Sequence, residues 1–443
     1  LGAAMVAVVT AMTTVRHTRA EEETGRLELV GAAVVGRRAP LAAALVIGAV
    51  MSVAVGVGCT LGLVAGGLPV AGSVAFGASW AGVGLVFAGV AAVAAQVAQT
   101  ARNATGLALG ALGAAYVLRA VGDANASVGW LTWLSPLGWG HRVAAFAGER
   151  WWVLVLPVLA TVVLGAAASA LSARRDLGAG LLPERPGPAR AGRGLSDLAG
   201  LAWRLDRASL LAWAAGFVFA GILMGALAGQ VGDLVTSEAS REYIRRLGGE
   251  KGMAEAYLAA VLGVSGLLAA AYGVHATMRL RGEETAERAD AVLSTTVSRR
   301  RWALTHLGTA MAGTVVLVLT VGVTGGLARS LQVGDLSDLP GVLAGALVQL
   351  PAVWVVMGIA LAGYGIGTRY ASAGWAALVL FLVLGTVGAM FDLPQRVVDL
   401  SPFSHVPQLP GGAVHVGPLL VLLVLAAALD ALAVFALGRR DLG

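Results

Sequence analysis

The amino-acid sequence predicts an all-α integral membrane protein made of two parallel six-helix repeats, with eleven spans present in this chain. Three observations carry this. Hydrophobic residues make up 58% of the 443 and charged residues only 13%, against roughly 25% charged in soluble domains, and the mean hydropathy is +0.81. The stretch 39–101 holds no Asp, Glu, Lys or Arg, enough for two membrane helices of about 20 residues each. Finally, the chain repeats itself at a distance of 262 residues: RAEEETGRLELVGAAVVGRR at 19–38 returns as RGEETAERADAVLSTTVSRR at 281–300.

Apolar runs place the spans at 1–15, 41–64, 71–97, 105–121, 152–172, 209–228, 255–278, 303–327, 340–366, 371–391 and 417–437. These runs are continuous and lack the alternation of a barrel strand, so they predict helices. Basic residues orient them. With the loops at 16–39, 98–104, 173–208, 279–302 and 367–370 and the tail from 438 in the cytoplasm, 22 of the 31 basic residues lie inside. The repeated charged element then faces the cytoplasm, and the polar segment 230–251 faces out. This distribution at helix ends accounts for the net charge of +6 and excludes a nucleic-acid partner, since no basic domain gathers the arginines.

The repeat aligns without a gap. Arg19, Glu21, Glu22, Arg26, Arg37 and Arg38 meet Arg281, Glu283, Glu284, Arg288, Arg299 and Arg300, and Glu28 meets Asp290. Two further echoes follow in register: Leu-Ser-Pro at 134–136 and 400–402, and Arg-Arg-Asp-Leu-Gly at 174–178 and 439–443. The domains expected are a first membrane half at 1–178, a Pro/Gly/Arg-rich cytoplasmic linker at 179–200 and a second half at 201–443. The second half opens with WRLDR at 203–207 and a span that the first half lacks. Equal halves would put the missing start roughly 60 residues before Leu1, and twelve spans in the intact protein.

At helical spacing, Arg19, Glu21, Glu22, Arg26 and Glu28 form one face of a short charged helix whose other face offers Leu27, Val30 and Val34. Such an element either rests on lipid headgroups or is gripped by a soluble partner. Its duplication favours two equivalent docking surfaces, as a dimeric partner would need.

On these residues the sequence resembles the coupling loops of type-two ABC exporter permeases. More narrowly it is similar to the twelve-span exporters of polyketide antibiotics and the multidrug efflux permeases, through EEETGRLELVGAAVVGRR, WLSPLGW at 133–139, FAGERWW at 146–152, LVQLPAVWV at 347–355 and DLSPFSHVPQLPGG at 399–412. The resemblance covers essentially the whole chain. The second element departs from the pattern at Glu287, where the family usually has Gly, and at Thr296, where Pro is common. The resemblance implies a multi-pass subunit of the bacterial plasma membrane that is not itself an enzyme. Separate ABC ATPase subunits would hydrolyse ATP and dock on the Arg19–Glu28 and Arg281–Asp290 elements. The cargo would be a small amphipathic or hydrophobic, antibiotic- or drug-like compound.

The residues themselves fit that division of labour. The sequence has no GxxxxGK[ST] phosphate loop, and its one lysine, Lys251, lies in GGEKGM on the expected outer side. No cofactor is expected on this chain. A metal site is not expected either: the single Cys59 lies mid-span, and the six histidines show no i, i+4 pair. Ser135 and Pro136, with Ser401 and Pro402, precede the last span of each half and are candidates for re-entrant outer gate elements, since proline breaks helices there. Trp133, Trp139, Trp151 and Trp152 read as an interfacial belt.

Gln96 and Gln349 either line a pathway or bond neighbouring helices. Asp430, in AALDALAVF within the last span, is a pathway candidate or pairs with a helix-end arginine such as Arg439. The competing function is a proton-coupled secondary drug transporter with two six-span halves. Against it stand the missing GxxxDRxGRR loop and the near absence of intramembrane acids.

Overall fold

Away from water every backbone N–H and C=O must find its partner within its own segment, so apolar runs of this length fold as helices. A computed structural model describes residues 2–27, 35–36, 38–124, 126–176, 178–181, 192, 197–229, 249–387 and 394–440, with only helical secondary structure among them. Ten of the described helices are long and apolar enough to cross a bilayer, and the chain is a multi-pass membrane protein. It divides into two compact units, Leu1–Gly187 and Pro188–Gly443. Glu28, Val30, Val34, most of the linker and most of the segment 230–251 lie outside the described residues.

The first unit contains α1 (Gly2–Val15), α2 (Ala39–Ala65), α3 (Val70–Val97), α4 (Ala101–Ala124), α5 (Pro136–Arg142) and α6 (Val155–Ala173). α3 is its centre, packed on α1, α2, α4 and α6. Small residues allow this. A Cβ on Gly77 would stand 2.2 Å from the Gly56 carbonyl oxygen, so the backbones of α2 and α3 touch there. α1 differs from the expected first span. Its fourteen residues run on through a π turn, Arg16–Ala20, and a last turn, Glu21–Glu23; among the described residues it is not one of the ten helices that meet the length and hydropathy of a crossing.

The second unit contains α7 (Leu198–Ala228), α8 (Gly249–Thr277), α9 (Arg279–Thr285), α10 (Arg288–Leu293), α11 (Arg299–Val333), α12 (Leu339–Leu347), α13 (Leu350–Ile366), α14 (Ala373–Val387) and α15 (Val416–Arg439). Asp197 and Ser298 cap α7 and α11 through their side chains. WRLDR at 203–207 lies inside α7, continuous with the span that follows it. α13 is the central helix and packs on α8, α14 and α15. The expected single span 340–366 is broken at Val348 and Gln349. Pro351 has no N–H to give the Leu347 carbonyl and its ring crowds that turn, which accounts for the break. α7 and α11 make the same glycine contact as α2 and α3: a Cβ on Gly225 would stand 2.3 Å from the Gly325 carbonyl oxygen.

Candidate functional site

The two charged elements are built alike, and in each the second of the paired acids, Glu22 or Glu284, turns inward. In the first unit the π turn at the end of α1 carries Arg19 into the protein, where it is fully buried. Single π turns of this kind recur at functional sites. Arg19 meets Glu22 Oε2 at 2.6 Å, donates to the Ala98 carbonyl, and donates to the Ala179 carbonyl at 2.9 Å. Glu22 also takes a two-pronged bond from Arg175, at 2.5 and 2.8 Å, whose Nε donates to Gln96 Oε1 at 2.7 Å. The side chains of Glu22 and Arg175 are 8% and 6% exposed, so this is a desolvated, charge-assisted clamp. Burial, and after it the Arg175 guanidinium, pull the Arg19 pKa below its ordinary value, while Glu22 and Glu23 oppose them.

The second unit repeats the clamp with other residues. Glu284 pairs with Arg440 and accepts from the Tyr364 hydroxyl at 2.5 Å. Arg440 also donates to the Tyr364 carbonyl at 2.7 Å, lies 5.1 Å over its ring, and is held at its own carbonyl by Arg299 at 2.7 Å. Glu284 is 262 positions from Glu22 and Arg440 is 265 from Arg175. The charged-loop echo and the Arg-Arg-Asp-Leu-Gly echo are therefore two sides of one contact, made once in each unit.

The turns that follow match as well. Gly25 at φ +70° and Glu287 at φ +56° occupy the same place, 262 apart, in left-handed backbone. Glycine takes that conformation freely, whereas a residue with a Cβ pays about 1–2 kcal/mol.

The other charged residues of the elements turn outward or pair at the surface. Arg26 reaches Glu21 at 3.7 Å with most of its side chain exposed. Arg288 holds Glu283 with two bonds of 3.0 Å, and Arg281 and Asp290 are exposed. Glu23 accepts from the Ala101 N–H at 2.6 Å and so caps the start of α4. Thus of the expected docking residues Arg19, Glu22 and Glu284 are committed within their own unit. Glu21, Arg26, Arg281, Glu283, Arg288 and Asp290 remain at or near the surface. The cavity beside the first clamp, about 40 Å³, has room for little more than a water.

A further buried cluster joins α7 to the end of α8. Asp206 accepts from the Tyr272 hydroxyl and pairs with Arg279 at 3.2 Å. Sequence reasoning saw neither this cluster nor the roles of Arg175, Arg440 and Tyr364, although the repeated Arg-Arg-Asp-Leu-Gly was a visible signal for two of them.

The two Leu-Ser-Pro sites diverge. Ser135 is buried, donates to the Ala115 carbonyl at 2.6 Å, and caps the short helix α5 that begins at Pro136. Trp139 donates to the Trp133 carbonyl at 2.6 Å, and Trp133 stacks on Trp152 at 5.6 Å. Ser401 is also buried, but its Oγ has no hydrogen-bond partner, and Pro402 begins only a 3-10 turn, Pro402–His405.

Gln96 belongs to the first clamp. Gln349 sits at the break between α12 and α13 with its Oε1 2.8 Å from where a Cβ on Gly266 would stand. Asp430 borders an open groove between α11 and α15, and its Oδ1 is shut in without a hydrogen-bond partner. Arg439, the partner weighed for it, lies instead over the Phe435 ring at 4.1 Å. Groups of His, Cys, Asp and Glu able to hold a metal are absent among the described residues.

Known proteins resemble this chain along nearly its whole length. The family described as "Multidrug efflux system permease Rv1217c, C-terminal domain" matches residues 195–437. The multidrug efflux system permease protein Rv1217c of Mycobacterium tuberculosis (strain ATCC 25618 / H37Rv) is 44% identical over 439 residues, 99% of this chain and 80% of the relative.

Proposed function

The chain belongs to the multidrug efflux permease family of Rv1217c, and we propose from that premise that it is the membrane subunit of an ATP-driven ABC exporter. In this reading separate nucleotide-binding subunits hydrolyse ATP and dock on the two charged elements, and the cargo is amphipathic or hydrophobic and drug-like. The observation that carries it is the duplicated clamp. Each charged element is locked by a Glu–Arg contact, buried in the first unit and partly buried in the second, to the segment at the end of the last span of its unit, while arginines beside it remain exposed.

A loop that only lay on headgroups would gain nothing from such a lock. An element that is pushed must be stiff, and must be joined to the helices it is to move. The clamped acids Glu22 and Glu284 would then stiffen the element, and the exposed Arg26, Arg281, Arg288 and Asp290, with the half-buried Glu21, would meet the ATPase. Closure of an ATPase dimer could shift the equilibrium between inward- and outward-facing states only through contacts that differ between them.

The second reading, a proton-coupled transporter, is favoured by one observation, the unpartnered carboxylate oxygen of Asp430 within a span. Reconstitution with an ABC ATPase of the same cell in inverted vesicles separates the two. Drug uptake that needs ATP, stops with vanadate and ignores a protonophore is expected. Uptake driven by a proton gradient alone would overturn the ABC reading.

A further inference from the structure

Asp430 lies nine residues before Arg439 at the end of α15, about 13 Å along the axis at 1.5 Å per residue. A carboxylate at that depth is costly unless something cationic meets it. Among the described residues no cation meets it: Oδ1 is shut in, 3.4 Å from where a Cβ on Gly358 would stand, without a hydrogen-bond partner, while the half-buried side chain borders the groove and Arg439 is turned away onto Phe435. Beside it runs a groove of about 530 Å³ between α11 and α15, walled by Leu304, Leu307, Val434 and Phe435, with Arg300 at one end. That volume falls in the range of drug-sized sites, and a few polar or charged groups among apolar walls, here Asp430 and Arg300, are their usual make-up.

We propose that this groove receives amphipathic amines, with the ammonium on the Asp430 carboxylate and the apolar body along Leu304, Leu307, Val434 and Phe435. The proposal rests on the drug-export reading and names a substrate class for it. Charge complementarity selects this occupant. An anionic lipid headgroup would be repelled by Asp430, and a neutral compound would leave the carboxylate as it is. Arg300 fixes the orientation: it repels an ammonium at its own end and leaves the Asp430 end as the cation's place.

The test is binding to the purified full chain in nanodiscs, with a dansyl-alkylamine as probe and its N-acetylated neutral form as control. The wild type is expected to hold the amine about tenfold tighter than the amide, the scale of a partly desolvated ion pair. Asp430→Asn should abolish the preference and leave amide binding unchanged, which also reports a folded groove. Asp430→Glu should keep the preference. An undiminished preference in Asp430→Asn overturns the proposal.

Leu307→Trp fills the groove and spares the charge, so it should weaken both probes; unchanged binding of both overturns the location. No ATP or partner enters these measurements. Their failure would leave the ABC reading standing, and failure of the vesicle experiment would leave this site standing.

Discussion

Glu22 serves two guanidinium groups at once, and that makes it the residue on which the first element depends. Removing its charge leaves Arg19 and Arg175 facing each other inside the protein, the case in which breaking a buried pair costs about 3–5 kcal/mol. Glu22→Gln should therefore lower the melting temperature of the purified chain sharply. Glu284→Gln should cost less, because Arg440 is 16% exposed, against 6% for Arg175, and can reach solvent. Exchange of charges separates the clamps further. Glu284→Arg with Arg440→Glu restores one opposite pair and should recover much of the stability lost by either single change. Glu22→Arg with Arg175→Glu should recover little, since the new arginine meets Arg19. Equal rescue at both sites would mean that Arg19 is no working member of the first clamp. A smaller effect is expected at Glu287, whose left-handed backbone suits glycine: Glu287→Gly should stabilise the chain by about 1 kcal/mol, read by the same melt.

Helices meet in this protein where glycines let backbones touch, and this can be tested element by element. Gly77→Val puts a branched side chain where even a Cβ would stand 2.2 Å from the Gly56 carbonyl oxygen. It should part α2 from α3, cost at least about 1–3 kcal/mol as overpacking does, and cut the yield of monodisperse protein. Gly113→Ala in α4 meets open space and should be neutral or mildly stabilising, because alanine favours helix by about 1 kcal/mol.

Much at this scale was legible beforehand. Hydropathy alone marked the spans, since a bilayer demands long apolar helices. Pro351 was in plain view, yet its break in the span 340–366 was not read, because a proline in a membrane helix can be accommodated without one. The clamps were half legible. Repetition marked both the acidic element and Arg-Arg-Asp-Leu-Gly, but single-chain periodicity carries no information on a contact between residues 153 or 156 positions apart. The charged helix read from 19–28 looked amphipathic toward lipid, whereas the π turn rotated Arg19 inward, which helical spacing could not anticipate.

At the scale of the whole molecule the ABC reading requires both charged elements to lie in the cytoplasm, and charge gives the orientation. The second unit states the contrast most clearly: the loop region 279–302 carries six arginines, while the turn at 334–338 carries Asp335 and Asp338 and no basic residue. Positive charge is retained on the cytoplasmic side of short loops, with acids contributing little, so Thr296 should lie inside and Ser337 outside. Both are exposed at the surface of their unit. Single cysteines at these two positions, in a Cys59→Ala background, give the measurement. Ser337→Cys should react with an impermeant maleimide in intact cells, and Thr296→Cys only after permeabilisation. The reverse pattern would put Glu284 and its clamp on the outer face, where no ATPase can reach them. The ABC reading would then be lost, while membership of the efflux permease family and the groove at Asp430 would be untouched.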